Sequence, residues 1–99
     1  MDYNITRKQM ANEITYVQSS IFKLLPYYEE GYKYLDNYFE SVLQMLGGIN
    51  IVLKHPPEIV SVIALIELAR TTECKSKLRK LILDSCGILD NLKESDAHD

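Results

Sequence analysis

NYFESVLQMLGGINIVLK, residues 37–54, carries a helical stripe straight into a pair of glycines, and the reading of that pair decides the fold. Phe39, Val42 and Leu46 recur at helical spacing, with Leu35 before them and Tyr38 and Met45 widening the face. Glycine reaches left-handed backbone angles without a Cβ clash, the usual need at a helix C-terminus. The sequence therefore predicts a helix over about 34–46, a stop at Gly47 and Gly48, and a short restarted helix over INIVLK. The pattern then returns. Sliding the chain along itself lays residues 37–54 over SKLRKLILDSCGILDNLK, residues 76–93, at an offset of 39. Phe39 meets Leu78, Val42 meets Leu81, Leu43 meets Ile82, Gly48 meets Gly87, Ile49 meets Ile88, Leu53 meets Leu92 and Lys54 meets Lys93. Gly87 is accordingly expected to end a helix over 76–85, with ILDNLK as a last short helix and ESDAHD as a polar, fraying tail.

Working outward, Met10, Ile14, Val17, Ile21 and Leu24 step by alternating fours and threes, which is one stripe on a helix from Arg7 to Leu25. Thr6 is placed to cap its start, and Pro26 either ends it or opens the next helix. Tyr27, Tyr28, Tyr32, Tyr34 and Tyr38 then crowd one stretch, with Gly31 as a break inside it; rings one or two turns apart beside core positions read as a core edge. HPP at 55–57 breaks the chain again, with Pro57 suited to a first helical turn and Glu58 to the positive end of a helix dipole. The helix that follows, to about Arg70, is apolar almost all round and so is expected to lie at the centre, covered on more than one side. TTEC offers a threonine cap to the next one.

The bulk numbers exclude more than they assign. The chain has 99 residues, 46% apolar and 25% charged, which describes one domain of modest core. A net charge of −3 creates no field that gathers phosphate backbones, and the basic run KSKLRK at 75–80 reads as a solvated helix face, so nucleic acid is not an expected partner. No apolar stretch is long enough to span a bilayer, and none follows the charged opening MDYNITRKQM as a signal peptide would require. Cys74 and Cys86 form no CxxC pair, which suits a reducing, intracellular setting, cytoplasmic with the nucleus left open. Those cysteines with His55 lack the close ligand spacing of a metal site, so no metal and no cofactor are expected.

An offset near 40 with a helix, glycine and helix at the join has the period of armadillo and HEAT units. Residues 46–93 resemble an armadillo repeat in particular: GGINIVL as the short first helix, PPEI as the proline-acidic turn, a long inner helix ending in Ala64-Leu65-Ile66-Glu67-Leu68-Ala69, and KLRKLILDSCGIL leading to the next glycine. Residues 8–45 share the pattern only loosely. The fold class is thus expected to be all-α, a short α-solenoid of about two armadillo- or HEAT-like units, or a compact helical bundle. Residues 1–95 would be a single helical domain, with 8–33 an N-terminal helix and connection, 34–93 two helix-Gly-helix units, and 96–99 a polar tail.

The resemblance also implies a binding face. In that family the inner helix lines a groove with an aromatic residue and, one turn later, an asparagine that grips a peptide backbone; the matching positions are Ile63 and Glu67. Ile63, Glu67 and Arg70 are the candidate partner-binding residues, and an acidic groove element would favour a basic partner. The competing reading makes Glu67 a solvated residue on an otherwise buried helix.

Function is then expected to be protein–protein interaction, as a module, scaffold or adaptor that holds another polypeptide. The alternative is a free-standing helical-bundle regulator, immunity- or antitoxin-like, that neutralises one partner by occlusion. Catalysis is not expected: HExxH, GxxxxGK and GxSxG are missing, and Glu29, Glu30, Asp36 and Glu40 are scattered over helix surfaces. A piece of a longer array would expose Leu78, Ile82, Ile88 and Leu92 as an open apolar end and self-associate through it, whereas an autonomous bundle would bury them.

Overall fold

Met10, Ile14, Val17, Ile21 and Leu24 are all buried, so the first stripe lies where its spacing puts it. A computed structural model describes residues 7–97, which leaves Thr6, His98 and Asp99 outside the described residues. Helix α1 spans Arg7–Phe22, and after a one-residue interruption at Lys23 the short α2 spans Leu24–Glu29. Pro26 sits in the first turn of α2, where a missing N–H is tolerated, so it opens a helix rather than closing one. Gly31 then ends α2 at φ +67, with Tyr32 N donating to Tyr27 O at 2.9 Å and Gly31 N to Tyr28 O at 3.2 Å, a Schellman closure.

Helix α3 runs Leu35–Val52, α4 Pro57–Thr71 and α5 Lys75–Ala97. Here the glycine readings need correcting: α3 continues through Gly47 and Gly48, and α5 continues through Gly87 into the expected tail. The reason is that the apolar stripes never lose phase. Phe39, Val42, Leu46 and Ile49 are buried on α3, and Leu78, Ile82, Ser85 and Leu89 on α5, at helical spacing on both sides of the glycines. A mid-helix glycine costs about 1 kcal/mol, whereas burying one Ile or Leu gains roughly 1.5–3 kcal/mol, so the continuous stripe prevails. The true end of α3 is a second Schellman closure, His55 N to Asn50 O at 2.7 Å and Lys54 N to Ile51 O at 3.2 Å. A lysine, Lys54 at φ 64, takes the left-handed position that glycine would fill more comfortably.

The helices form an all-α bundle. α1 packs against α3 and α5, α4 packs against the same two helices, and among the described residues the backbones of α1 and α4 stand apart on opposite corners. The short α2 extends the first arm and packs between α3 and α5. Neighbours run antiparallel: Arg70 near the end of α4 reaches Asp36 at the start of α3, and Thr15 and Gln18 of α1 reach Lys93 of α5. The two segments related by the 39-residue offset are therefore α3 and α5, parallel arms on opposite corners, each facing α1 on one side and α4 on the other. Equivalent surroundings account for their equivalent apolar positions.

Two further expectations change. α4 is not the central helix, because among the described residues nothing covers its outer side. Leu78 and Ile82 are buried, and Ile88 and Leu92 are partly buried against the core, so these residues close the bundle rather than forming an open end.

Candidate functional site

The outer side of α4 is where sequence and environment disagree most. Pro57 occupies its first turn with Glu58, and Arg70 lies in its last, each charge suited to the helix dipole there. Ile59, Val62, Ile66 and Ala69 turn inward and are buried. Val60 and Leu68, one turn either side of exposed Ala64, remain 50% and 45% exposed. Ile63 and Leu65 are half-buried at the two flanks. A helix that is apolar all round normally has cover all round, yet this one has cover on two sides. Ile51 of α3 and Leu83 of α5 add exposed apolar surface on the neighbouring arms.

Of the candidate residues, Ile63, Glu67 and Arg70 follow one another at helical spacing along the flank that faces α3. Ile63 packs against the core edge, Glu67 is exposed, and Arg70 is engaged within the chain. Arg70 Nε and Nη2 donate to Asp36 Oδ1 and Oδ2 at 2.7 and 2.9 Å, and Nη1 donates to Glu40 Oε2 at 2.7 Å. The hydrogen bonds from Arg70 hold the Asp36 carboxyl below its ordinary range, and those carboxylates raise Arg70 further. The guanidinium thus ties α4 to α3, and the apolar trio Val60, Ala64 and Leu68 is the surface that sequence reasoning missed. Its signal was present: α4 has too many apolar residues for one buried face.

The tyrosines gather at one end of the bundle. Tyr27 packs on Tyr32 and Tyr38 at ring-centroid distances of 4.7 and 5.0 Å, and Tyr32 meets Tyr34 edge-on at 5.9 Å. The Tyr28 hydroxyl donates to the Glu73 carbonyl at 2.8 Å, and Lys75 pairs with Glu29 at 2.8 Å, so α2 is fastened to the turn before α5. Tyr27, Tyr28 and Tyr38 are half-buried as core-edge residues, while Tyr32 and Tyr34 are exposed. In KSKLRK, Leu78 is buried and the lysines and arginine are exposed, Lys80 pairing with Asp84 at 3.2 Å.

Thr72 Oγ1 accepts from the Cys74 amide at 3.4 Å, so the expected threonine cap acts within the turn, while Cys74 itself stands immediately before α5. Its Sγ lies 3.2 Å from Ser76 Oγ, and that contact together with the Lys77 and Ser76 amides lowers the thiol pKa. Cys86 is the reverse case, buried between α1 and α5 and pushed up to about 11 by desolvation. Beside it Gln18 forms a polar network: Nε2 donates to Cys86 O at 3.0 Å and Asp90 Oδ1 at 2.7 Å, and Oε1 accepts from Lys93 Nζ at 2.8 Å. Among the described residues no three His, Cys, Asp or Glu side chains come together to hold a metal, and no helix is long and apolar enough to cross a membrane. Comparison with family models, curated proteins and solved structures gives no match.

Proposed function

We propose that this protein is a non-catalytic interaction module that holds another polypeptide on the outer face of α4. One observation carries the reading: Val60, Ala64 and Leu68 line an apolar face on a helix that, among the described residues, packs only against α3 and α5. Buried against a partner, such a face supplies affinity, and the Ile63, Glu67 and Arg70 flank supplies selectivity through shape and charge. Two free thiols suit a reducing compartment as its place of work. The test is a photo-crosslinking residue at position 64, introduced in the native cell, with one at exposed Tyr16 on α1 as control. A discrete adduct from position 64 alone is expected, and its absence overturns the reading.

A second reading, a free-standing regulator that occludes one partner, draws support from the way Leu78 and Ile82 close the core. It differs by requiring that the partner lose its own activity in a one-to-one complex.

A further inference from the structure

We infer that the corner between α3 and α4 is a hinge at which two copies of this chain exchange halves, the α4–α5 pair of each packing onto the α1–α3 arm of the other. The exchanged dimer rebuilds the same bundle twice, so it is a second state of the fold rather than one surface docked on another.

Backbone strain confined to that corner is the first ground. Lys54 at φ 64 and His55 at φ 60 are the two non-glycine residues with positive φ among those described, and they are adjacent. The corner between α2 and α3 meets the same need with Gly31. His55 also precedes Pro56, whose ring drives the residue before it toward extended backbone and away from the angle His55 holds. At the end of α3, Asn50 Oδ1 is buried with no hydrogen-bond partner among the described residues, while the amide nitrogen of Asn50 lies 2.9 Å from His55 Nδ1. Opening the corner relaxes both left-handed residues and returns that oxygen to water. What it gives up are the bonds from the Lys54 and His55 amides to the last turn of α3, and both residues are exposed, so water takes their place.

Topology is the second ground. The chain divides at this corner into α1–α3 and α4–α5, and one hydrophobic core takes side chains from both. Gln18 bonds to Asp90, Tyr28 to Glu73 and Arg70 to Asp36, each across that division. None of these contacts requires the two halves to belong to one chain, because the corner alone joins them covalently. Exchange therefore conserves packing and polar contacts alike and alters the hinges. Residues 53–56 stretch to about 13 Å when extended, more than the roughly 8–10 Å between packed helix axes, so two hinges pass each other with room for both bundles.

Slow interconversion follows. A half that lets go uncovers the shared core, so exchange is slow and a dimer once formed survives dilution. The outer face of α4 stays open in both states, since α4 packs on α3 and α5 in each, and the hinge operates with or without a partner there.

The test holds the full chain at millimolar concentration a few degrees below its melting temperature, then cools and dilutes it. Size-exclusion chromatography with light scattering should show a dimer that persists on dilution and keeps the helical circular dichroism of the monomer. Isotope-filtered NMR of a dimer made from differently labelled chains should show contacts between Gln18 of one chain and Cys86 of the other. Both are buried within a bundle, so exchange alone brings them together from separate chains. Lys54→Gly combined with His55→Gly should relax the closed corner and cut the dimer yield by about tenfold or more. A chain that stays monomeric, a dimer without the Gln18 to Cys86 contacts, or a yield that the paired glycines do not lower overturns the proposal.

Discussion

Arg70 grips Asp36 through two parallel hydrogen bonds, tying the last turn of α4 to the first turn of α3. A planar guanidinium matches a carboxylate in this way and a lysine ammonium does not. Because Asp36 is held below its ordinary pKa in the folded chain, its contribution is complete above the unfolded value and is lost as pH falls through the folded one. Arg70→Lys and Asp36→Asn should each lower Tm slightly at neutral pH and low salt. The gap to wild type should close below about pH 4 and in molar salt. Thermal melts across pH and salt check this, and a gap that persists in acid would remove the carboxylate from the account.

The glycines and Lys54 make opposite predictions from one principle. A Cβ added at Gly47, Gly48 or Gly87 meets nothing within 4 Å, so alanine there should stabilise by about 0.5–1 kcal/mol each. Lys54→Gly should stabilise by roughly 1 kcal/mol by relieving left-handed backbone, and Gly31→Ala should destabilise by a similar amount. Urea unfolding of the five variants measures each value. Loss of stability in Gly87→Ala would mean that α5 bends there.

The two thiols should separate cleanly in reactivity. Cys74 is exposed with a lowered pKa, and Cys86 is buried with a raised one. Ellman's reagent near neutral pH should consume one thiol rapidly and the second only on unfolding, and Cys74→Ser should abolish the fast phase. Two fast thiols would show that the α1–α5 seam opens readily.

Gln18 is a buried polar residue with both ends of its amide satisfied. Gln18→Ala should cost about 1–2 kcal/mol through lost hydrogen bonds and packing. It should also let the Asp90 carboxyl, held down chiefly by the Gln18 amide, move back toward its ordinary pKa. Denaturant unfolding gives the first value and NMR titration of Asp90 the second; an unmoved Asp90 would place its stabilising contact elsewhere.

Periodicity read correctly wherever the stripe was followed to its end. The spacing of Met10, Ile14, Val17, Ile21 and Leu24 located the inner face of the first arm. The glycines misled because glycine is required at a left-handed corner but is merely tolerated elsewhere, and the run Phe39, Val42, Leu46, Ile49 keeps step across Gly47 and Gly48. α4 was legible as too apolar for one face, but which side stayed open depends on where α1 stands, and no local pattern encodes that. The Arg70 clamp joins residues 34 and 30 apart, so only the folded packing reveals its partners. The Gln18 network, spanning 68 to 75 positions, was hidden for the same reason.

Because α3 and α5 offer α1 look-alike apolar faces, exchanging them would produce a bundle wound with the opposite hand that shelters much the same oil. Hydrophobicity alone therefore barely distinguishes the two windings. Two polar contacts do: the amide of Gln18 finds Lys93 and Asp90 on α5, and the guanidinium of Arg70 finds Asp36 and Glu40 on α3, so each arm is told apart by the groups it offers rather than by its oil.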